Sequence, residues 1–355
     1  MTMSILNIVG AKIWGGGEQY VYDMCEELTS RNIPNYVLID ETNTSLQDRF
    51  SAVASVITGG LYTSKGLTSA FTISRKMKEL GVTVIHCHSG KYILLAILLK
   101  KLTGAKLLFF KHNVIPAKTD FYHTWILKQI DACICVSKLV YDLQQVSAYQ
   151  NKFHLVYNGI NPRRFTSIVN NRNKHEFFVI GYAGRIIRNK GIEELIKSIQ
   201  ALHYQYPSIQ LKLVGHGEDA EVKWLQSFIE SQDLSDYVHY EGFQQNMNTF
   251  YESIDVFVLP SKVKEAFGLV LCEAMYCHIP VITTDSGAQR EIVEHNVSGI
   301  IVPELTVPLL SKAIEDIYKD SNKREQLASK GYEVVNQQFT VATTVDRLLS
   351  IIRNV

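Results

Sequence analysis

The sequence lacks an apolar run long enough to cross a membrane. Its longest candidate, Ile93–Leu99, falls well short of the roughly 20 residues that a spanning helix needs. The amino terminus has no basic segment followed by a long apolar stretch and a small-residue cleavage site, and Ser4–Val9 instead indicates a buried strand. We therefore expect the chain to stay where it is made, in the cytoplasm.

Cysteines are few and are not spaced like metal ligands or disulfide partners. The chain has 6, without a Cys-x2-Cys pair, and all lie in apolar surroundings, which predicts buried reduced thiols. His86 and His88 flank Cys87 at the end of a predicted strand and would share one face. No further ligand lies nearby in the sequence, so we predict neither a bound metal ion nor a cofactor.

The chain also has little net charge, +1 in total, which argues against nucleic acid as its partner. The charge is unevenly distributed. Residues 1–165 carry 18 Lys and Arg against 11 Asp and Glu, a net +7, whereas residues 166–355 carry 18 against 24, a net −6. A basic half suits an anionic partner such as a phospholipid surface or a phosphorylated acceptor. A solvated basic face without a partner fits equally well.

Apolar strand-like runs alternate with amphipathic segments along the whole chain. The predicted strands are Ser4–Val9, Tyr36–Ile39, Val53–Ile57, Val82–His86, Lys106–Phe110, Ala132–Val136, Phe153–Val156, Phe177–Tyr182, Ile209–Val214, Val238–Glu241, Val256–Leu259, Pro280–Thr284 and Gly299–Val302. This alternation predicts an α/β fold with two Rossmann-like domains, each a doubly wound parallel sheet. Ligands of such sheets bind at the carboxyl ends of the strands, which predicts a site in a cleft between the two domains.

The predicted domain boundaries follow from length and composition, because 355 residues exceed what one core holds efficiently. We assign residues 1–165 to the first domain and 166–337 to the second. The polar segment Asn161–Glu176 is the best linker candidate, and the last helix, within 338–355, is expected to pack back on the first domain.

The strongest motif runs from Lys264 to Met275 and follows a predicted strand. A helix that begins near Gly268 would direct free backbone N–H groups and a positive dipole end at a diphosphate. Glu273, in the second turn, can accept hydrogen bonds from ribose hydroxyls, and Glu265, in the loop, can bind hydroxyls of a sugar. A solvated glutamate followed by an ordinary helix glutamate is the alternative.

A second motif, Gly181–Gly191, places two cations directly after a predicted strand. Arg185 and Lys190 would stabilise the negative charge of a departing diphosphate, although an ordinary basic loop is also compatible. Arg188 is interpreted as a solvated neighbour.

Two glycine-rich loops also follow strands. Gly15, Gly16 and Gly17 would let the backbone approach a phosphate or a sugar closely. The segment Gly215–Ala220, which includes Gly217, matches the G-x-G-x-x-A fingerprint of nicotinamide dinucleotide binding. A loop that faces the base or diphosphate of a donor is the preferred interpretation, because the expected acidic residue comes late in the sequence.

Taken in order, these motifs resemble the family 4 glycosyltransferases, whose GT-B architecture consists of two facing Rossmann-like domains. The resemblance rests on Gly16-Gly17-Glu18, His112, Val156-Tyr157-Asn158-Gly159-Ile160, Gly184-Arg185, Lys190-Gly191, Gly215-His216-Gly217, Glu241-Gly242-Phe243, Glu265 to Glu273, and Gly287 with Glu291. The sequence departs from the family pattern at Tyr157, where proline is usual, and at His216 in the glycine-rich loop.

The resemblance implies a retaining, metal-independent transferase that uses a nucleotide diphosphate sugar as co-substrate. Four residues are implied as catalytic: Arg185 and Lys190 at the diphosphate, Glu265 at the donor sugar and His112 near the reacting sugar. The implied substrate-binding residues are Gly16, Gly17, Asn158, Gly215, Gly217, Phe243, Phe267, Gly268, Leu269, Val270 and Glu273. The sequence contains no Asp-x-Asp pair, which enzymes commonly use to hold the diphosphate through a divalent cation.

The identities of the donor and the acceptor are expected from what is usual among members of this family. UDP is the expected nucleotide, and a glycan or lipid-linked acceptor in cell-envelope polysaccharide or lipopolysaccharide biosynthesis is the expected second substrate. The helix Lys91–Lys101, with Ile93, Leu94, Leu95 and Ile97 between its lysines, is a candidate for peripheral contact with the inner face of the plasma membrane. A core-packed helix with solvated lysines fits at least as well.

Three other classes stay open at this point. A sugar-nucleotide epimerase shares the two-domain architecture, a dehydrogenase would use Gly215–Ala220, and a silent binding module would bind donor without turnover.

Overall fold

The computed structural model describes residues 3–10, 14–61, 65–144, 146–165 and 176–355. The chain divides into two compact units, Met1–Ile160 with Val341–Val355, and Asn161–Thr340. The sequence-based boundaries lie at 165/166 and 337/338. Of the expected linker Asn161–Glu176, residues 166–175 lie outside the described residues.

The first unit is built on a seven-stranded parallel sheet with the order β3-β2-β1-β4-β5-β6-β7. Its strands are β1 (Ile5–Ile8), β2 (Asn35–Asp40), β3 (Ser55–Gly59), β4 (Val84–Cys87), β5 (Lys106–Lys111), β6 (Ala132–Cys135) and β7 (Phe153–Leu155). The four residues Leu107–Phe110 are all buried, as expected of a parallel strand that is covered on both faces.

The helices of the first unit are α1 (Gly16–Ser30), α2 (Thr44–Phe50), α3 (Lys65–Glu79), α4 (Ile93–Thr103), α5 (Phe121–Gln129), α6 (Lys138–Asp142) and α13 (Val341–Asn354). Helix α13 is attached by side chains as well as by its apolar face. Arg31 Nη1 lies 2.5 Å from Asp346 Oδ1, and Thr344 Oγ1 donates to the Tyr157 carbonyl at 2.9 Å. The last helix therefore belongs to the first unit.

Helix α4 does not expose most of the apolar residues that lie between its lysines. Ile93, Leu95 and Ile97 are buried in the core of the first unit, and of the four apolar residues named for membrane contact only Leu94 is exposed. Three of the four residues are therefore unavailable to a membrane, and of the two interpretations of this helix the burial favours the core-packed one.

The second unit contains a six-stranded parallel sheet with the order β10-β9-β8-β11-β12-β13. Its strands are β8 (Phe178–Ala183), β9 (Ile209–Val214), β10 (Val238–Tyr240), β11 (Val256–Leu259), β12 (Val281–Thr284) and β13 (Ile300–Val302). Its helices are α7 (Ile192–His203), α8 (Asp219–Ser231), α9 (Asn248–Glu252), α10 (Leu269–Tyr276), α11 (Val307–Lys319) and α12 (Ser321–Gln338).

Both sheets reverse their strand order at one point, between β1 and β4 in the first unit and between β8 and β11 in the second. At such a switch point the connections leave in opposite directions and open a crevice at the carboxyl ends of the strands. The predicted fold class, two doubly wound parallel α/β domains, is confirmed.

Within the described ranges, no helix has both the length and the apolar character required to span a membrane. All six cysteines are buried and free, as predicted.

Candidate functional site

The crevice of the second unit is formed by the loops after β8 and β11, and these loops are fixed against each other. Lys262 donates its backbone N–H to the Asn189 carbonyl at 3.1 Å. Gly191 has a φ of +75°, and a Cβ atom there would overlap the carbonyl oxygen of Pro260. Only glycine satisfies both conditions. The close approach holds the loop that carries Lys190 against the end of β11.

Lys190 and Glu265, both predicted from sequence, meet in this crevice. Lys190 Nζ lies 2.5 Å from Glu265 Oε1, and the two side chains are 19% and 14% exposed. The backbone of Glu265 is fixed too, since its carbonyl accepts a hydrogen bond from Ala288 N at 3.0 Å. Gly287 lies so close to that backbone that a Cβ atom would not fit without movement. The carboxylate therefore orients the ammonium group inside a rigid pocket.

Arg185 lies in the same loop but is oriented differently. Its side chain is exposed and makes no ion pair or hydrogen bond within the described part of the chain. The buried Tyr182 hydroxyl donates to the Arg185 carbonyl at 3.0 Å, and both burial and the nearby Glu265 carboxylate raise the pKa of Tyr182. The guanidinium group is consequently available to an anionic ligand at the mouth of the crevice.

Glu273 is buried in the second turn of α10, and both of its oxygens are bonded. Arg164 Nη1 lies 3.0 Å from Oε1, and the Tyr251 hydroxyl donates to Oε2 at 2.8 Å. Burial and the Glu273 carboxylate raise the pKa of Tyr251, which therefore stays protonated as a donor. Sequence reasoning missed both partners, since neither belongs to a motif that marked a site.

The segment before α10 offers backbone rather than side chains. Gly268 has a φ of +113° at the start of the helix, and Phe267 is buried against Phe339 with ring centroids 5.6 Å apart. Leu269 and Val270 are half-buried in the first turn. The first N–H groups of a helix have no partner within the helix, so this turn can donate to phosphate oxygens.

The Gly215 and Gly217 loop packs on the Arg185 loop. Ile186 N donates to the His216 carbonyl at 2.8 Å, and a Cβ atom at Gly215 or Gly217 would overlap the carbonyl of Gly184 or Ile186. These glycines therefore allow two loops to touch. The next helix, α8, has Asp219 and Glu221 in its first turn. Those carboxylates oppose the binding of a dinucleotide phosphate there.

An aromatic pair lies on this side of the crevice. Phe243 is 48% exposed, and its ring meets that of His216 edge-on at 5.9 Å. Burial and the Arg185 charge lower the pKa of His216, so its ring is neutral near pH 7. Exposed aromatic side chains of this kind can stack with a nucleobase.

The remaining predicted residues belong to the first unit. Gly16 and Gly17 lie at the start of α1, and a Cβ atom at either would meet no described residue within 4 Å, so packing against those residues does not explain them. Asn158 is buried, and its Oδ1 atom has no hydrogen-bond partner among the described residues.

His112 follows β5 and is half-buried. Burial lowers its pKa to about 4, and its Nε2 atom lies 3.2 Å from Nδ1 of His88. The histidines considered above as metal ligands thus bond to protein partners. In the described ranges no three or more His, Cys, Asp or Glu side chains are arranged to hold a metal ion.

Two protein families match the chain, one in each half. Residues 14–164 match Glycosyltransferase Family 4, and residues 164–334 match Glycosyl transferases group 1.

Among curated relatives, the capsular polysaccharide biosynthesis glycosyltransferase CapM of Staphylococcus aureus is 30% identical over 201 residues, which is 52% of this chain and 49% of CapM. The D-inositol 3-phosphate glycosyltransferase of Paenarthrobacter aurescens is 34% identical over 176 residues, 48% of this chain and 43% of that protein. The chain spans about half the length of these relatives.

A solved structure extends the similarity to the whole chain. Anabaena Alr3699/HepE in complex with UDP-glucose superimposes with a TM-score of 0.83 at 21% identity, and the match covers 99% of this chain and 100% of that one. This likeness shows the GT-B fold. The matched families together span residues 14–334, and the chain belongs to the family 4 glycosyltransferases.

Proposed function

We propose that the chain transfers a sugar from a nucleoside diphosphate sugar to a glycan or lipid-linked acceptor, and that the nucleotide is UDP. The transfer retains the anomeric configuration and needs no metal ion. The acceptor belongs to the class used in cell-envelope polysaccharide or lipopolysaccharide biosynthesis. The observation that carries this proposal is the ion pair of Lys190 with Glu265 at the switch point of the second sheet, with Arg185 exposed in the same loop as Lys190.

The charges of this group suit a departing diphosphate. In the reaction, the bond between the anomeric carbon and the diphosphate oxygen breaks, and the acceptor oxygen bonds to the same carbon from the same face. The departing phosphate oxygen takes the acceptor proton. Lys190 and Arg185 then stabilise the negative charge that develops on the diphosphate, in a crevice where preorganised charges act strongly.

The rest of the donor is assigned to neighbouring groups of the second unit. The first turn of α10 binds the distal phosphate through backbone N–H groups, and Glu273 accepts hydrogen bonds from the ribose hydroxyls. Phe243 and His216 contact the base. Glu265 binds hydroxyls of the transferred sugar while it holds Lys190 in position.

Two relatives support the substrate classes. HepE, which has the same fold, was solved with UDP-glucose bound, and this supports a UDP-sugar donor. CapM acts in capsular polysaccharide biosynthesis, and this supports a glycan acceptor.

We also propose that the first unit contacts an anionic membrane, through exposed side chains outside α4. Ile115, Phe121 and Tyr122 are 55%, 89% and 43% exposed. A cavity of about 250 Å³ lies beside Tyr122, lined mainly by apolar side chains, among them Ile93 of α4, together with Lys111 and Lys118. Exposed aromatic groups beside lysines suit the interface of an anionic bilayer, and the cavity suits the apolar part of a lipid-linked acceptor.

Flotation with vesicles that contain phosphatidylglycerol tests the membrane contact. We expect the wild-type chain to float at low salt and Phe121→Ser to float less. Phe71→Ser is the matched control, since Phe71 is also well exposed, at 66%, but lies on α3. Absence of binding by the wild-type chain at low salt would remove this part of the proposal.

The donor is tested by thermal shift with UDP-, GDP- and ADP-sugars, followed by assays of nucleotide release with and without acceptor. We expect one UDP-sugar to raise the melting temperature and to release UDP in the presence of a chelator. NMR of the product gives the anomeric configuration. If no nucleotide sugar stabilises the chain and none is turned over, the proposal fails.

The same assays separate the alternatives. An epimerase would convert donor without acceptor, and a silent module would bind donor without turnover. A dehydrogenase would bind NADH at Gly215–Ala220, which the acidic first turn of α8 disfavours.

A further inference from the structure

A hydrogen-bonded chain of neutral side chains lies at the switch point of the first sheet. Asn7 lies on β1 and is directly paired with His86 on β4. His86 Nδ1 and His88 Nε2 each lie 3.2 Å from Asn7 Oδ1, and His88 Nδ1 lies 3.2 Å from His112 Nε2. The four side chains thus form one hydrogen-bonded series that runs from the buried His86 through Asn7 and His88 to the half-buried His112.

The amide of Asn7 determines where two of the protons are. An amide oxygen only accepts hydrogen bonds, so His86 Nδ1 and His88 Nε2 must both carry hydrogen. The other end of the amide is consistent with this orientation, since Asn7 Nδ2 donates to Cys25 Sγ at 3.6 Å.

The tautomer of His112 follows from that of His88. A neutral imidazole carries one N–H group, so His88, with hydrogen on Nε2, offers a lone pair at Nδ1. His112 must therefore donate from Nε2, which leaves its own lone pair on Nδ1. Within the described part of the chain, that Nδ1 atom has no hydrogen-bond partner.

The surroundings keep these rings neutral. Burial lowers the pKa of His86 to about 3 and that of His112 to about 4, and burial together with the two neighbouring histidines lowers that of His88. The ring of Tyr20 also packs against His112, with its centroid 5.5 Å away, and burial raises the pKa of this tyrosine. Among the described residues, no charged partner of these three histidines offsets the loss of water.

We propose that Asn7 and His88 are positioning residues that hold His112 in its Nε2–H tautomer, so that its Nδ1 atom accepts a hydrogen bond from a sugar hydroxyl. The inference rests on the proposed function for its ligand and on the geometry of the first unit for its tautomer. A sugar that presents a hydroxyl to His112 is accepted, whereas one with a carboxylate at that position would place lone pair against lone pair.

The tautomer is tested first, without any substrate. Nitrogen–proton correlation spectra of the full chain with isotope-labelled histidine distinguish the two neutral tautomers, and the His112→Gln variant assigns the signal. We expect the Nε2–H pattern for His112 at neutral pH. A pattern of Nδ1–H, or of a protonated imidazolium, would overturn the inference.

Variants of His88 then test its positioning role. His88→Leu removes the acceptor for His112 Nε2–H, and we expect mixed tautomers and a loss of about tenfold in kcat/KM for the donor. His88→Gln restores an acceptor oxygen and should recover most of this loss. Equal activity of the Leu and Gln variants, both folded, would show that His88 only fills space.

His86→Leu is the matched control. His86 binds the same Asn7 oxygen but has no contact with His112 in the described structure, and its Nε2 atom is buried without a partner. We expect the His112 spectrum to be unchanged in this variant. A changed spectrum would mean that the tautomer depends on general packing rather than on the path through His88.

These measurements separate the two proposals. An Nε2–H tautomer in a chain that transfers no sugar would refute the proposed function alone, and an Nδ1–H tautomer in an active transferase would refute only this inference.

Discussion

The two switch-point crevices are built from different chemistry. The crevice of the second unit holds charged groups, with Lys190 against Glu265, Arg164 against Glu273, and an exposed Arg185. That of the first unit holds a neutral amide and neutral imidazoles. The same sheet topology thus supports two kinds of recognition. Charged groups suit a diphosphate whose charge grows during reaction, and neutral acceptors suit hydroxyl groups, which a strong charge would not help to select.

The largest expected effect comes from removing the cations of the second crevice. Lys190→Ala and Arg185→Ala should each lower kcat by about 100-fold, equivalent to roughly 3 kcal/mol of transition-state stabilisation. Arg188→Ala is the control. Arg188 lies in the same loop, but its side chain is exposed and its Nε atom is directed at Glu221 Oε2, 3.9 Å away. Nucleotide release measures the effect. Near-normal turnover in both variants would remove these cations from the mechanism.

The next effect concerns the carboxylate that orients Lys190. Glu265→Gln keeps the shape of the side chain but loses its charge, and we expect kcat/KM to fall about 30-fold, or roughly 2 kcal/mol. Glu194→Gln changes a similar ion pair, with Lys262 at 2.6 Å, in the same unit. Steady-state kinetics should give Glu194→Gln the same kcat/KM as the wild-type chain. Equal losses in both variants would contradict a specific role for Glu265.

The neutral crevice should make the protein sensitive to acid. The pKa of His86 is about 3 in the folded chain, below its ordinary value of 6.5, so the unfolded chain binds more protons as the pH falls. Protonation of His86 in the unfolded chain therefore lowers the free energy of unfolding by roughly 2 kcal/mol between about pH 7.5 and about pH 5. Urea denaturation at both values should show a smaller loss in His86→Gln. An identical pH dependence would contradict the buried neutral state.

The smallest effect concerns the partner of Glu273. Tyr251→Phe removes one donor to the buried carboxylate, and the donor KM should rise about fivefold, or roughly 1 kcal/mol. Tyr206→Phe is a matched control, because that hydroxyl also donates to a glutamate, Glu315, at 2.7 Å, but on α11. A KM that is unchanged in Tyr251→Phe would mean that Arg164 alone holds Glu273.

The fold was predictable because its signals are local. Continuous apolar strands such as Val256–Leu259 and the amphipathic segments between them indicate a parallel sheet without knowledge of their partners. The pairing of Lys190 with Glu265 was anticipated in part, since both follow strands whose carboxyl ends meet at one crevice. The partners of Glu273 were not, because Arg164 is 109 residues away and belongs to no recognised motif.

Helix α4 and the histidines show where a sequence pattern leaves more than one interpretation open. Lysines around apolar residues look the same in a membrane-facing helix and in a core-packed one, and only the burial of those residues in the folded unit distinguishes the two. His86 and His88 on alternate positions resemble metal ligands until the position of Asn7 becomes known.

The sequence by itself determined the alternation of strands and helices, the glycines that let the crevice loops touch, and the residue types at the strand ends. Only the tertiary structure decided which side chains bond to each other. Periodicity and backbone preference act over a few residues, whereas a hydrogen bond needs two atoms within about 3 Å. Strands distant in the chain supply those atoms, as β1 and β4 do for Asn7 and His86.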